Sequence, residues 1–197
     1  MPIYFLIFLG TLAASLLLYL GAIAVGITRR PSPAFIHGDS ASWLQAVGVA
    51  LLWINVGTGW LLFFNVYCIH VDMSALGDAA FQAFSRGYTR RLPIVVLPYG
   101  AACLAWALAL WSAPARLSRR AIWIISTLCI VSILSTPWAA GAQGSMQEHG
   151  YTEAAYMQLQ AAHLVRTLAL TIAALLALFQ GWRLPQLDAS RQGAHTG

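Results

Sequence analysis

From Ile3 to Ile27 the chain runs apolar without a formal charge. At about 1.5 Å of rise per residue, these 25 residues exceed the roughly 30 Å hydrocarbon layer of a bilayer, so they predict a membrane-crossing helix. Four more apolar runs follow: Trp43 to His70, Leu92 to Ala113, Ala121 to about Ala140, and Gln158 to Trp182. The pattern predicts an all-α integral membrane protein of about five transmembrane helices, a four-helix membrane bundle plus one N-terminal helix.

The breaks between the runs carry turn chemistry. Pro31, Pro33, Gly38 and Asp39 lie in the stretch from Arg29 to Ser42, which reads as a loop. Residues 71–91 differ: Leu76, Phe81, Phe84 and Tyr88 recur at helical steps among Asp72, Asp78, Arg86, Arg90 and Arg91. That spacing predicts a short amphipathic helix at the interface. Pro137 and Gly141 weaken the end of the fourth span, and residues 142–157 read as a polar loop with Glu148 and Glu153 and no basic residue. Residues 1–185 form a single transmembrane domain, and 186–197 are expected to be a disordered tail.

Charge then sets the orientation. All eleven basic residues are arginines at the edges of apolar runs. With the N-terminus outside, Arg29, Arg30, Arg116, Arg119, Arg120, Arg183 and Arg191 fall inside, against Arg86, Arg90, Arg91 and Arg166 outside. The positive-inside rule therefore predicts N-out and C-in, in the cytoplasmic (inner) membrane of a bacterium. A signal peptide would need a basic leader and a shorter apolar core, whereas only the amino terminus precedes this run and Arg29-Arg30 follow it, so it reads as an uncleaved anchor with a cytoplasmic C-terminal end.

Hydrophobic residues make up 59% of the 197 and charged residues 9%, too little charge to clothe a water-soluble surface. No continuous basic patch offers a nucleic-acid surface. Cys68, Cys103 and Cys129 each lie inside an apolar run without a Cys-x-x-Cys pair, and read as small buried hydrophobes. No metal site is expected, no pair of histidines is spaced for haem, and the sequence specifies no cofactor. Phosphate-loop, dinucleotide and Gly-x-Ser-x-Gly motifs are missing from the sequence.

Arg166 is the most informative residue. Sixteen residues, about 24 Å of helix, separate it from the Trp182 boundary, which places it at or just below the outer edge of the membrane. It reads either as a snorkelling anchor or as an inward cation that binds an anionic group. His163 stands one turn before it on the same face. Topology brings Tyr67, His70, Asp72, Arg90, Arg91, Glu148 and His149 to that side. In the second span Asn55, Thr58, Leu62 and Asn65 form one stripe, while Trp53, Trp60 and Tyr67 recur every seven residues. These positions serve ligand binding or helix packing. Gly57 and Gly59 offer small-residue contact surface.

Residues 50–182 resemble a family of small four-helix integral membrane proteins related to the anthrone-oxygenase-like membrane proteins. The resemblance rests on Gly59-Trp60 followed by Tyr67, on Phe81, Phe84 and Arg90-Arg91, and on Ser135-Thr136, Gly150, Leu159 and Arg166-Thr167. It implies a four-helix scaffold to which the first helix is an addition. The chain departs from that pattern at Ser85, at Ala142-Gln143-Gly144 and at His163-Leu164, where the family carries other polar residues.

The expected function is a non-catalytic accessory or structural subunit of a larger membrane protein complex or homo-oligomer. The alternative is a cofactor-poor membrane oxygenase or isomerase acting on a lipophilic aromatic or quinone-like substrate, with His163, Arg166 and Tyr67 as catalytic residues. A small transporter stands third, since the mid-membrane holds no charge and the chain shows no internal repeat.

Overall fold

The computed structural model describes residues 3–25, 35–113 and 115–193, with only the backbone path for 93, 94 and 181–193. Arg29, Arg30, Pro31 and Pro33 lie outside the described residues. The regular elements of the described chain are all helical: α1 (Ile3–Ala24), α2 (Gly38–Leu61), a π turn (Leu62–Val66), α3 (Cys68–Ser74), α4 (Asp78–Ala109), α5 (Arg119–Leu134), α6 (Thr136–His149) and α7 (Glu153–Gly193). Four runs are long and apolar enough to cross a membrane: Ile3–Ala24, Gly38–Ser74, Arg119–His149 and Glu153–Gln180. A fifth span results when the two limbs of α4, Asp78–Leu92 and Val95–Ala109, are taken together across their 42° bend. Pro93 falls in that bend and withholds a backbone donor from it.

Two expected boundaries move. The amphipathic segment expected over 71–91 is divided by a turn at Gly77, whose φ of +90° favours glycine. Its second part is a limb of α4 that buries Phe81 and Ser85 inside the bundle. The stretch expected as a polar loop at 142–157 is helical to His149, and Pro137 opens α6 in the first turn, where a missing N–H costs nothing. Ala139, Ala142, Gln143 and Met146 are buried on α6 at spacings of three, one and three, one helical face of two alanines, an amide and a methionine. α7 is helical to Gly193 and overlaps the segment expected as a tail, while 194–197 lie outside the described residues.

α2, α4, α5 and α7 pack together, and α1 lies along α4 and touches α5. The α1–α4 contact is close: the side chain of Thr11 fills the space a Cβ on Gly100 would need. One core collects Leu12, Leu52, Trp106, Ile122, Ile125, Cys129 and Leu170. A second gathers Leu62, Tyr67, Phe81, Met146 and Leu159 at one end. Gly38–Ser74 spans 37 residues, about 55 Å at helical rise, so one end of the bundle extends past a 30 Å hydrocarbon layer. Arg166 and His163 sit where the two cores meet.

Candidate functional site

The π turn builds the site. Tyr67 N–H donates to the carbonyl of Leu62 at 2.9 Å, an i to i+5 bond that adds one residue to the helical register. Tyr67 thereby follows Leu62 onto the inner face and is buried. Asn65, which regular spacing puts in line with Asn55, Thr58 and Leu62, is exposed instead. The expected stripe of four is thus a stripe of three that continues into Tyr67 and the buried His70.

His163 on α7 is buried and reaches back to α2. Its Nε2 lies 2.9 Å from the carbonyl oxygen of Gly59 and its Nδ1 lies 3.4 Å from the Tyr67 hydroxyl. The His163 and Tyr67 rings meet edge to face at 4.8 Å. α7 approaches this closely because residue 59 has no side chain: a Cβ there would stand 2.9 Å from Thr167 Oγ1. Gly57, expected to share that role, faces open space.

Arg166 lies one turn farther along α7, half-buried. Its Nη2 donates to Thr136 Oγ1 at 3.2 Å, its guanidinium sits 5.1 Å from the centre of the Tyr99 ring, and its buried Nε has no partner among the described residues. Neither described contact carries negative charge. Tyr99 is held in turn by Ser132, 3.1 Å from its hydroxyl. Arg166 and Tyr67 border a cleft of about 230 Å³. Phe5, Phe8 and Leu9 of α1, Leu92 and Val96 of α4, and Ala139 and Ala140 of α6 form its apolar walls, and Thr89, Gln143 and Gln147 its polar end. Gln147 donates to Thr89 Oγ1 at 2.8 Å. On the other side of the same pair, Asn55, Thr58, Gly59 and His163 line a pocket of about 30 Å³.

The three residues expected to act together, Tyr67, His163 and Arg166, are therefore brought together, with Asn55 and Thr58 beside them. The other expected positions are not. His70 is buried among the rings of Tyr67, Phe81, Phe84 and Tyr88, with centroids 5.1 to 6.2 Å away, and does not line the cleft. Trp60 donates its indole N–H to Thr171 at 3.2 Å, a helix-packing contact. Asp72, Arg90, Arg91, Glu148 and His149 are exposed. Among the described residues no group of three or more His, Cys, Asp and Glu is placed to hold a metal ion.

Sequence reasoning missed Tyr99, Gln143, Gln147 and the α1 wall of the cleft. The helical spacing of Ala139, Ala142, Gln143 and Met146 was the available signal for α6, and nothing in the local sequence marks Tyr99. Comparison with protein-family models, with characterised proteins and with solved structures finds no match.

Proposed function

We propose that this chain is a non-catalytic membrane subunit that holds a lipophilic molecule by an acidic or strongly polar oxygen head group, seated against Arg166. The observation that carries this reading is the guanidinium itself: a cation at the edge of a largely apolar cleft, its buried Nε without a partner and its described contacts uncharged. A charge held in or near hydrocarbon is costly unless an anion or strong dipole meets it. α1 packs on α4 and α5 while α6 packs on α7 and α4, and both contribute residues to the cleft, so the route taken for the ligand is lateral, between α1 and α6. At about 230 Å³ it is smaller than the pockets that enclose whole drug-sized molecules, roughly 300 to 1,000 Å³. A head group and the start of a chain fit, with the remaining tail in the bilayer.

His163 favours binding over turnover. Both of its nitrogens already have partners, so it serves as a strut between α7 and α2 rather than a free acid or base. The arginine distribution supports an N-out, C-in orientation in a cytoplasmic membrane, and partner subunits in a larger assembly would receive the held molecule.

The test is equilibrium binding of radiolabelled palmitate and of 1-hexadecanol to the delipidated, detergent-solubilised protein. Saturable binding of palmitate in preference to the alcohol, lost in Arg166→Gln, is expected. Equal binding of the alcohol, or palmitate binding that survives Arg166→Gln, would overturn the reading.

A further inference from the structure

A further cavity, of about 330 Å³, lies at the other end of the bundle between α2, α7 and the loop joining α4 to α5. Gln45 and Ala177, which line it, stand fourteen residues from Gly59 and His163 along their respective helices, about 21 Å at helical rise. It is a separate place from the Arg166 cleft.

Gln45 is 1% exposed, and its Oε1 accepts two backbone N–H groups, from Arg116 at 2.9 Å and Leu117 at 3.2 Å. Two donors on one oxygen fix which way the amide faces. Its Nε2 is thereby committed as a donor, yet it is buried and has no partner among the described residues. Buried polar atoms in folded proteins are almost always paired, so this one calls for an acceptor from outside the described residues.

The surroundings define that acceptor. Arg116, an exposed residue, lines the same cavity as Gln45 and brings its guanidinium to this end of the bundle, and Ala46, Val49, Ala177 and Leu178 supply apolar walls. The frame around it is tied. Phe35 N–H donates to the Trp111 carbonyl at 2.9 Å, Ala113 N–H to the Ile36 carbonyl at 2.8 Å, and Arg119 Nη1 to the Ser112 carbonyl at 2.8 Å. An amide donor and a guanidinium above an apolar groove suit an anionic oxygen carried on hydrocarbon. We infer that this cavity binds the phosphate of one anionic phospholipid, with Gln45 Nε2 and Arg116 as its donors and the acyl chains along α2 and α7.

Native mass spectrometry of the detergent-purified protein tests this, in the wild type and in Arg166→Gln so that the first cleft does not contribute. The ligands are dioleoylphosphatidylglycerol, dioleoylglycerol with the same tails and no phosphate, and soluble glycerol 3-phosphate. One phosphatidylglycerol per chain should be retained in Arg166→Gln and at least one in the wild type, and dioleoylglycerol should not be retained in Arg166→Gln. Gln45→Glu keeps the acceptor for the Arg116 and Leu117 N–H groups but faces the phosphate with an oxygen, and should weaken retention about tenfold or more. Arg116→Gln, at an exposed position, should weaken it in the same direction and decides the matter if Gln45→Glu does not fold. Equal retention of dioleoylglycerol, or undiminished retention in the folded variants, overturns the site. Glycerol 3-phosphate bound as tightly as the lipid overturns the lipid as occupant and assigns the site to a soluble phosphate.

Discussion

Nε2 of His163 lies 2.9 Å from the carbonyl oxygen of Gly59, and that contact places the proton on the imidazole. A carbonyl only accepts, so Nε2 carries the hydrogen and Nδ1 is left to accept from the Tyr67 hydroxyl at 3.4 Å. Removing the ring leaves the Tyr67 hydroxyl without its acceptor on α7, while the Gly59 carbonyl, on the same helical run as Tyr67, keeps the Leu62 N–H. Replacing His163 by Leu should therefore destabilise the fold by about 1–3 kcal/mol, the usual cost of a buried polar group left unpaired.

The same contact separates structure from binding. At a temperature where both variants are folded, His163→Leu should still bind palmitate, whereas Arg166→Gln should lose binding with little loss of thermal stability. Thermal unfolding in detergent alongside palmitate binding reads both. Lost binding in folded His163→Leu would return His163 to the ligand's immediate surroundings.

Gly59 and Thr167 set how closely α2 and α7 approach. A Cβ at residue 59 would stand 2.9 Å from Thr167 Oγ1 and 3.1 Å from its Cγ2. A β-branched side chain on a helix has few rotamers with which to move aside. Gly59→Ala should cost about 1–3 kcal/mol by overpacking. Thr167→Ala removes both obstructing atoms, so the double variant should recover most of that loss. Simple additivity of the two single changes in thermal unfolding would show that the residues do not share a contact.

Much of this fold is visible in the hydrophobic pattern, because membrane-length apolar runs are a strong physical signal. The three residues expected to act together, Tyr67, His163 and Arg166, do meet, where the two cores join. What escaped the pattern has local causes. Asn65 and Tyr67 exchange places because the π turn adds a residue that no propensity marks. Residues 142–149 read as a loop because the buried face of α6 is built from alanines and glutamine, which look polar or neutral in a hydropathy window. Tyr99 enters the site only through tertiary packing against Arg166.

The three cysteines divide by environment. Cys103 and Cys129 are buried in the central core, with Cys103 Sγ 3.9 Å from the Cys129 carbonyl, while Cys68 is exposed at the start of α3. A water-soluble maleimide should modify one thiol in the folded protein and three after denaturation in sodium dodecyl sulfate. Intact-mass measurement counts the adducts. A second modified thiol in the folded state would show that the central core is open to solvent.

The π turn yields a deletion test. In a regular helix, deleting one residue rotates everything after it by about 100° and carries buried side chains out of the core. Across Leu62–Val66 the register already contains an extra residue, so removing the exposed Asn65 converts the i to i+5 bond between Leu62 and Tyr67 into an ordinary i to i+4 bond. Tyr67 and His70 then keep their faces, and Tyr67 keeps its place against His163. Deleting the exposed Ile54 from the regular part of α2 has no such relief: it turns Asn55, Val56 and Gly59 away from α4 and α7. The Asn65 deletion should therefore fold as a monodisperse protein that retains palmitate binding, and the Ile54 deletion should not. Thermal unfolding and size-exclusion profiles of the two, compared side by side, decide it, and equal damage from both would mean that the helix is regular through residue 66.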